Sequence, residues 1–125
     1  MTSSFASERA GWLGDAHVGS ETVLRNYGAS GAYRLFLEMI AESLDSDGNP
    51  PDVVPFLGGH GGGGTPTWTA AFPIIGALLF EYGDEQIPEL LYTPMQRFVE
   101  CLLRGIPVSS SESFILPPYL DQFWT

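Results

Sequence analysis

A chain of 125 residues is enough for one domain with a modest core. Apolar residues make up 44% of it, a globular composition, while 15 glycines and 10 prolines imply several loops between a few regular segments. Fifteen acids stand against five bases, all arginine, for a net charge of −10; without clustered positive charge, neither a nucleic-acid backbone nor an anionic membrane surface is an expected partner.

Residues 1–7 contain no basic n-region and no apolar h-region, so no secretory signal is read there, and the segment is expected to be irregular. Gly11 and Gly14 interrupt any regular period just after it. A first helix is expected from about Asp15, whose carboxylate suits an N-cap, to about Asn26. After Gly28 and Gly31 comes an amphipathic helix with Tyr33, Phe36, Leu37, Ile40 and Leu44 spaced three or four apart. It closes at the turn formers Asp45-Ser46-Asp47-Gly48-Asn49-Pro50-Pro51.

Residues 49–67 read as a long loop carrying Gly58-Gly59-His60-Gly61-Gly62-Gly63-Gly64, and loops of that length in compact domains are usually functional or mobile. A third helix fits 69–82, with Phe72, Ile75, Leu78, Leu79 and Tyr82 on its apolar side, Pro73 in its first turn and Gly83 as its stop. The run 70–80 is the longest apolar stretch and is too short to span a bilayer. A short helix is expected around 85–91. A fourth is expected from Thr93 as N-cap and Pro94 at the first helical position to Gly105. Leu91, Met95, Phe98 and Leu102 form its apolar row, and Cys101 within it reads as a structural thiol. Residues 106–125 read as an irregular tail. The class is all-α, made of antiparallel helical hairpins, either as part of a larger helical toroid or as a small independent bundle.

Glu8, Trp12 and Asp15 place two carboxylates and an indole within eight residues, separated by glycines. One carboxylic acid can donate a proton, the other can accept hydrogen bonds from sugar hydroxyls, and the indole can cover an apolar sugar face. Arg9 can orient a neighbouring carboxylate through its fork of donors. By chemistry alone, acids near a helix start are more often caps and solvated charges. The glycine-rich loop lacks the lysine of a phosphate cradle, which leaves a flexible loop over a pocket; His60 within it reads as solvent-exposed. His17 and His60 have no metal-site spacing, so no metal and no cofactor is expected. Trp68 is either a core indole or a stacking platform facing the same cleft as the loop. Trp124 has no context supporting either role.

Together these residues resemble the α-L-rhamnosidase family of inverting glycoside hydrolases. That family carries Arg-Asp-Glu-Arg-x-Gly-Trp-x-Gly-Asp-Ala, and Glu8 through Ala16 reproduce its last nine positions. Ser20-Glu21-Thr22 is similar to the family's first barrel helix, and Asp47-Gly48-Asn49-Pro50-Pro51-Asp52-Val53-Val54-Pro55 to its following loop. Thr65-Pro66-Thr67-Trp68-Thr69-Ala70-Ala71 resembles the tryptophan-bearing start of the next inner helix. Tyr82-Gly83-Asp84 and Tyr92-Thr93-Pro94-Met95 complete a likeness that spans residues 8–104.

The resemblance implies an (α/α)6 six-hairpin toroid, of which residues 8–105 supply part of the catalytic domain, about two hairpins. It implies Glu8 as general acid, with Arg9, Trp12, Asp15 and Trp68 as substrate contacts, and rhamnose-containing glycosides or polysaccharides as substrates. In the inverting scheme Glu8 protonates the glycosidic oxygen while a second carboxylate activates water on the opposite face. The sequence departs from the family pattern at Ala6 and Ser7, where the family has arginine and aspartate, and at Thr2, where it has a further aspartate. The general-base glutamate falls beyond Thr125, and Glu100, Glu112 and Asp121 are not candidates for it. The chain alone is therefore expected to be inactive; the alternative is a carbohydrate-binding or interaction module that keeps half of the sugar pocket.

Overall fold

The computed structural model describes residues 10–58, 61, 62 and 64–105. Among them are five helical segments and no named strand: α1 (Leu13–Tyr27), α2 (Ser30–Glu42), α3 (Pro66–Thr69), α4 (Ala71–Glu81) and α5 (Ile87–Arg104). The all-α class expected from the periodicity is what these residues adopt. A single antiparallel bridge, Trp12 to Val53, is the extended pairing recorded among them. The segments 1–7 and 106–125, expected to be irregular, lie outside the described residues, as does His60.

Helix α1 starts two residues before Asp15, with Trp12 in extended conformation as its N-cap. Asp15 therefore sits in the first turn instead of capping it, and no side-chain cap bond forms. The role expected of its carboxylate is filled from far along the chain: the Leu13 N–H donates to the Asp52 carbonyl oxygen at 2.9 Å. A negative charge in the first turn still complements the positive end of the helix. Gly28, in the left-handed conformation, ends α1. Helix α2 buries Leu37 and Ile40 completely, with Tyr33, Phe36 and Leu44 packed beside them, as the spacing predicts. The Asp45 side chain then accepts the N–H groups of Asp47 and Asn49 and shapes the turn that follows.

Helix α4 is apolar almost all round and packs against α1, α2 and α5, which makes it the centre of the described fold. The helix expected over 69–82 is α4, which begins two residues later at Ala71; Thr69 instead closes α3, a single turn at the end of the expected loop 49–67, and the two are separated at Ala70. Pro73 is the cause: it has no N–H to offer the Thr69 carbonyl, so the ladder restarts with the Ile74 N–H to the Ala70 oxygen at 3.2 Å. Pro73 still falls in the first turn of α4. A second correction concerns α5. Thr93 and Pro94 do not begin a separate helix; the segments expected at 85–91 and from 94 onward are one helix with Pro94 inside it and Pro88 at its start. One apolar row runs through Ile87, Leu91, Met95, Phe98 and Leu102, so packing holds both halves on a common axis at the cost of one backbone bond to Leu90.

The core lies where these rows meet. Phe72 of α4 and Phe98 of α5 are at most 1% exposed and contact edge to face, with ring centroids 6.2 Å apart. Leu13, Leu37, Ile40, Ile75 and Leu79 are fully buried around them, each contributing roughly 1.5–3 kcal/mol relative to exposure. Polar ties fix the periphery. Arg97 donates to the Asp45 carbonyl at 2.9 Å and Arg104 to that of Asp47, joining α5 to the turn after α2. Arg34 reaches from α2 to Gln86 at 2.7 Å and to Asp84 at 3.7 Å, joining α2 to the start of α5. Cys101 is half-buried and burial pushes its thiol up, as suits a structural side chain.

Candidate functional site

Glu8 and Arg9 lie outside the described residues, while Trp12, Asp15 and Trp68 all sit at the N-terminal end of α1. Trp12 is held there by its backbone. The Val54 N–H donates to the Gly11 carbonyl at 2.9 Å, and with the Leu13 to Asp52 bond this pairs the glycine-tryptophan stretch with the Asp52-Val53-Val54 stretch. The approach requires Gly11, because a Cβ on it would collide with the Val54 carbonyl oxygen. The six-membered ring of Trp12 then rests near Gly61, within the glycine-rich loop.

Trp68 reaches the same end of α1 from α3. Its indole lies so close to Gly14 that a Cβ there would be 2.8 Å from Nε1 and 2.9 Å from Cδ1 and Cε2. Both indoles are half-buried, each with a further interaction of its own, which fits neither a fully buried core ring nor a freely solvated one. Asp15, one residue beyond Gly14, is exposed, and its carboxylate makes no hydrogen bond or ion pair among the described residues.

The carboxylate that holds these parts together is Asp52. It is 5% exposed and accepts two bonds from one residue, the Thr65 N–H at 2.6 Å and the Thr65 hydroxyl at 2.8 Å. Burial pushes its pKa above the usual aspartate range, and the two Thr65 bonds oppose that shift. Its own N–H donates to the Gly61 carbonyl at 2.7 Å. Trp12 and Asp15 also line an open groove of about 470 Å³ between α1 and α2, whose other walls include Val23, Tyr33 and Phe36. Trp68 does not line that groove. Its walls are mostly apolar, so they suit packing better than a polyhydroxylated ligand. The described structure thus gathers the three expected contacts at one helix end without enclosing them in a single cavity. Among the described residues no group of three or more His, Cys, Asp or Glu could hold a metal ion, and no helix is long and apolar enough to cross a membrane.

The family model of the bacterial α-L-rhamnosidase 6 hairpin glycosidase domain matches residues 4–116. The chain belongs to that family. Among solved structures, the α-L-rhamnosidase from Dictyoglumus thermophilum is similar at 31% identity and a TM-score of 0.72. The match covers 80% of this chain and 12% of that one, so this rhamnosidase-family chain spans about an eighth of the solved protein's length. No curated protein matches it. The matched family is that of a six-hairpin glycosidase domain, in agreement with the fold and family expected from the motifs.

Two features of this helix end escaped the motif reading. Asp52 was legible as part of the Asp52-Val53-Val54-Pro55 stretch, but its bond to Thr65 joins residues with no common period. Gly14 was legible as a helix interrupter, whereas it is a helical residue that leaves space for an indole. A glycine in a first helical turn, where almost any other residue is a better helix former, was the available signal.

Proposed function

We infer that this chain contributes the proton-donor side of an inverting α-L-rhamnosidase site. Glu8 is the general acid, Arg9 orients the neighbouring carboxylate, and Trp12, Asp15 and Trp68 contact the terminal rhamnose. The observation that carries this reading is the convergence of Trp12, Asp15 and Trp68 at the first turn of α1, directly after the position of Glu8 in the chain. The chemistry is consistent. Rhamnose is a 6-deoxy sugar, so it offers a methyl group and an apolar face to indole rings and hydroxyls to Asp15. An exposed carboxylate without a partner among the described residues keeps its lone pairs for such hydroxyls.

Inversion needs a second carboxylate roughly 6.5–9.5 Å from the acid, with room for water between them. On this reading that group comes from a part of the six-hairpin domain other than the stretch described here, and the chain alone does not turn over rhamnosides. The test is hydrolysis of an aryl α-L-rhamnoside by the 125-residue chain, by a full six-hairpin protein bearing this segment, and by that protein with Glu8→Gln. Turnover by the full protein alone, with inversion at the anomeric carbon and at least a hundredfold loss in the variant, is the expected pattern, since acid–base groups typically contribute about 10²–10⁴-fold. Full activity with Glu8→Gln removes the assignment of the acid. Activity on β-glucosides but not on rhamnosides removes the substrate.

A further inference from the structure

We propose that Asp52 is a positioning residue for both indoles, setting Trp12 and Trp68 relative to each other across the first turn of α1. Three connections meet on this one residue. Its backbone carbonyl accepts the Leu13 N–H, next to Trp12. Its side chain accepts both donors of Thr65. The Thr65 carbonyl in turn accepts the N–H groups of Trp68 at 2.9 Å and Thr69 at 2.8 Å, so Thr65 fixes the turn that carries the second indole. Asp52 is thus a hydrogen-bonded path between the two segments, beside the direct contact of Trp68 with Gly14, and its two-pronged contact fixes orientation as well as distance.

Burying a carboxylate is costly even when it is hydrogen-bonded, and Asp52 and Thr65 are both buried, at 5% and 3% exposure. The carboxylate accepts both Thr65 donors at once without competing for them as a donor. Gly14 shows that the Trp68 ring is closely fitted, since it leaves space for the pyrrole side of that indole, while at Gly61 an added Cβ would meet the Val53 side chain first and the edge of Trp12 at 3.3 Å. The functional consequence, correct spacing of two sugar-facing rings, rests on the rhamnosidase reading above; the mechanical link does not.

The experiment therefore has a sugar-free arm. The chain is labelled with 5-fluorotryptophan, and its ¹⁹F resonances are assigned with Trp12→Phe and Trp68→Phe. Asp52→Ala is expected to move both the Trp12 and the Trp68 resonance by more than a linewidth, and Thr65→Val to move both in the same direction by less. Asp52→Asn is expected to leave both near their original positions, because its amide oxygen can accept the Thr65 N–H while its NH₂ donates to the Thr65 hydroxyl. If Asp52→Ala lowers thermal stability yet moves neither resonance, or moves only that of Trp68, the positioning role is overturned. Should Asp52→Ala fail to fold, Thr65→Val against Asp52→Asn decides by the same criterion. In the sugar arm, Thr65→Val is expected to weaken L-rhamnose binding severalfold and Asp52→Asn to retain it. A wild-type chain that ignores rhamnose overturns the functional reading while the resonance shifts still decide the mechanical one.

Discussion

The contact between Gly14 and Trp68 can be tested by a pair of alanine substitutions in one helix. Gly19→Ala places a Cβ where no atom lies within 4 Å, so only helix propensity acts. That is worth about 1 kcal/mol in favour of alanine, which raises the melting temperature by roughly 4 °C for a domain of this size. Gly14→Ala places the Cβ 2.8 Å from the Trp68 indole nitrogen, well inside ordinary contact. The ring must retreat by roughly half an ångström, and such overpacking costs typically about 1–3 kcal/mol. Against a propensity gain of at most about 1 kcal/mol, the net effect is a loss of about 1 kcal/mol, or about 2 kcal/mol below Gly19→Ala. Thermal unfolding followed by far-ultraviolet circular dichroism measures both variants under one buffer condition. If Gly14→Ala stabilises the chain as much as Gly19→Ala does, Trp68 is not seated on the first turn of α1, and the site described above is wrong.

Three further outcomes follow from the fold. Phe72→Ala removes the ring that meets Phe98 at the centre of the core and should cost about 3–5 kcal/mol in urea unfolding; a loss below about 1 kcal/mol would mean that α4 and α5 do not meet there. Pro94→Ala should stabilise the chain by about 2 kcal/mol and preserve its helix content, because it restores a backbone bond inside a continuous helix; a destabilised, less helical variant would show that Pro94 starts a separate helix after all. The last concerns pH. Burial raises the Asp52 pKa in the folded chain above its unfolded value of 3.8, so the folded state binds that proton more tightly. The stability associated with this group is then fully present below the unfolded value and is lost as pH rises through the folded one. Thermal melts of wild type and Asp52→Asn should show wild type gaining on the variant as pH falls from neutral toward 4; a wild type that loses ground on acidification reverses the sign and contradicts the burial argument.

The helices were legible in the sequence where one side of each segment must be apolar. The rows through Leu37 and Ile40, through Ile75 and Leu79, and through Leu91, Phe98 and Leu102 carry their own period. The segment ends were less legible because they depend on distant partners. The start of α1 moved from Asp15 to Leu13 because a carbonyl at Asp52 satisfies the first N–H, and the boundary expected at Thr93 disappeared because a continuous apolar row outweighs one proline. At the proposed site, the motif nominated Trp12, Asp15 and Trp68 by type. What it did not contain was the scaffold that joins them: the Asp52 and Thr65 pair, and the Gly14 surface under Trp68. These are non-local contacts, which no local pattern encodes.

The central proposal is that Trp12, Asp15 and Trp68 form one face for terminal L-rhamnose. Its most direct test is tryptophan fluorescence of the 125-residue chain titrated with L-rhamnose and, separately, with D-glucose. A saturable change with L-rhamnose, absent with D-glucose and abolished by Asp15→Ala, Trp12→Phe and Trp68→Phe individually, is the predicted result. A flat response at millimolar L-rhamnose, or one that all three variants retain, would contradict it.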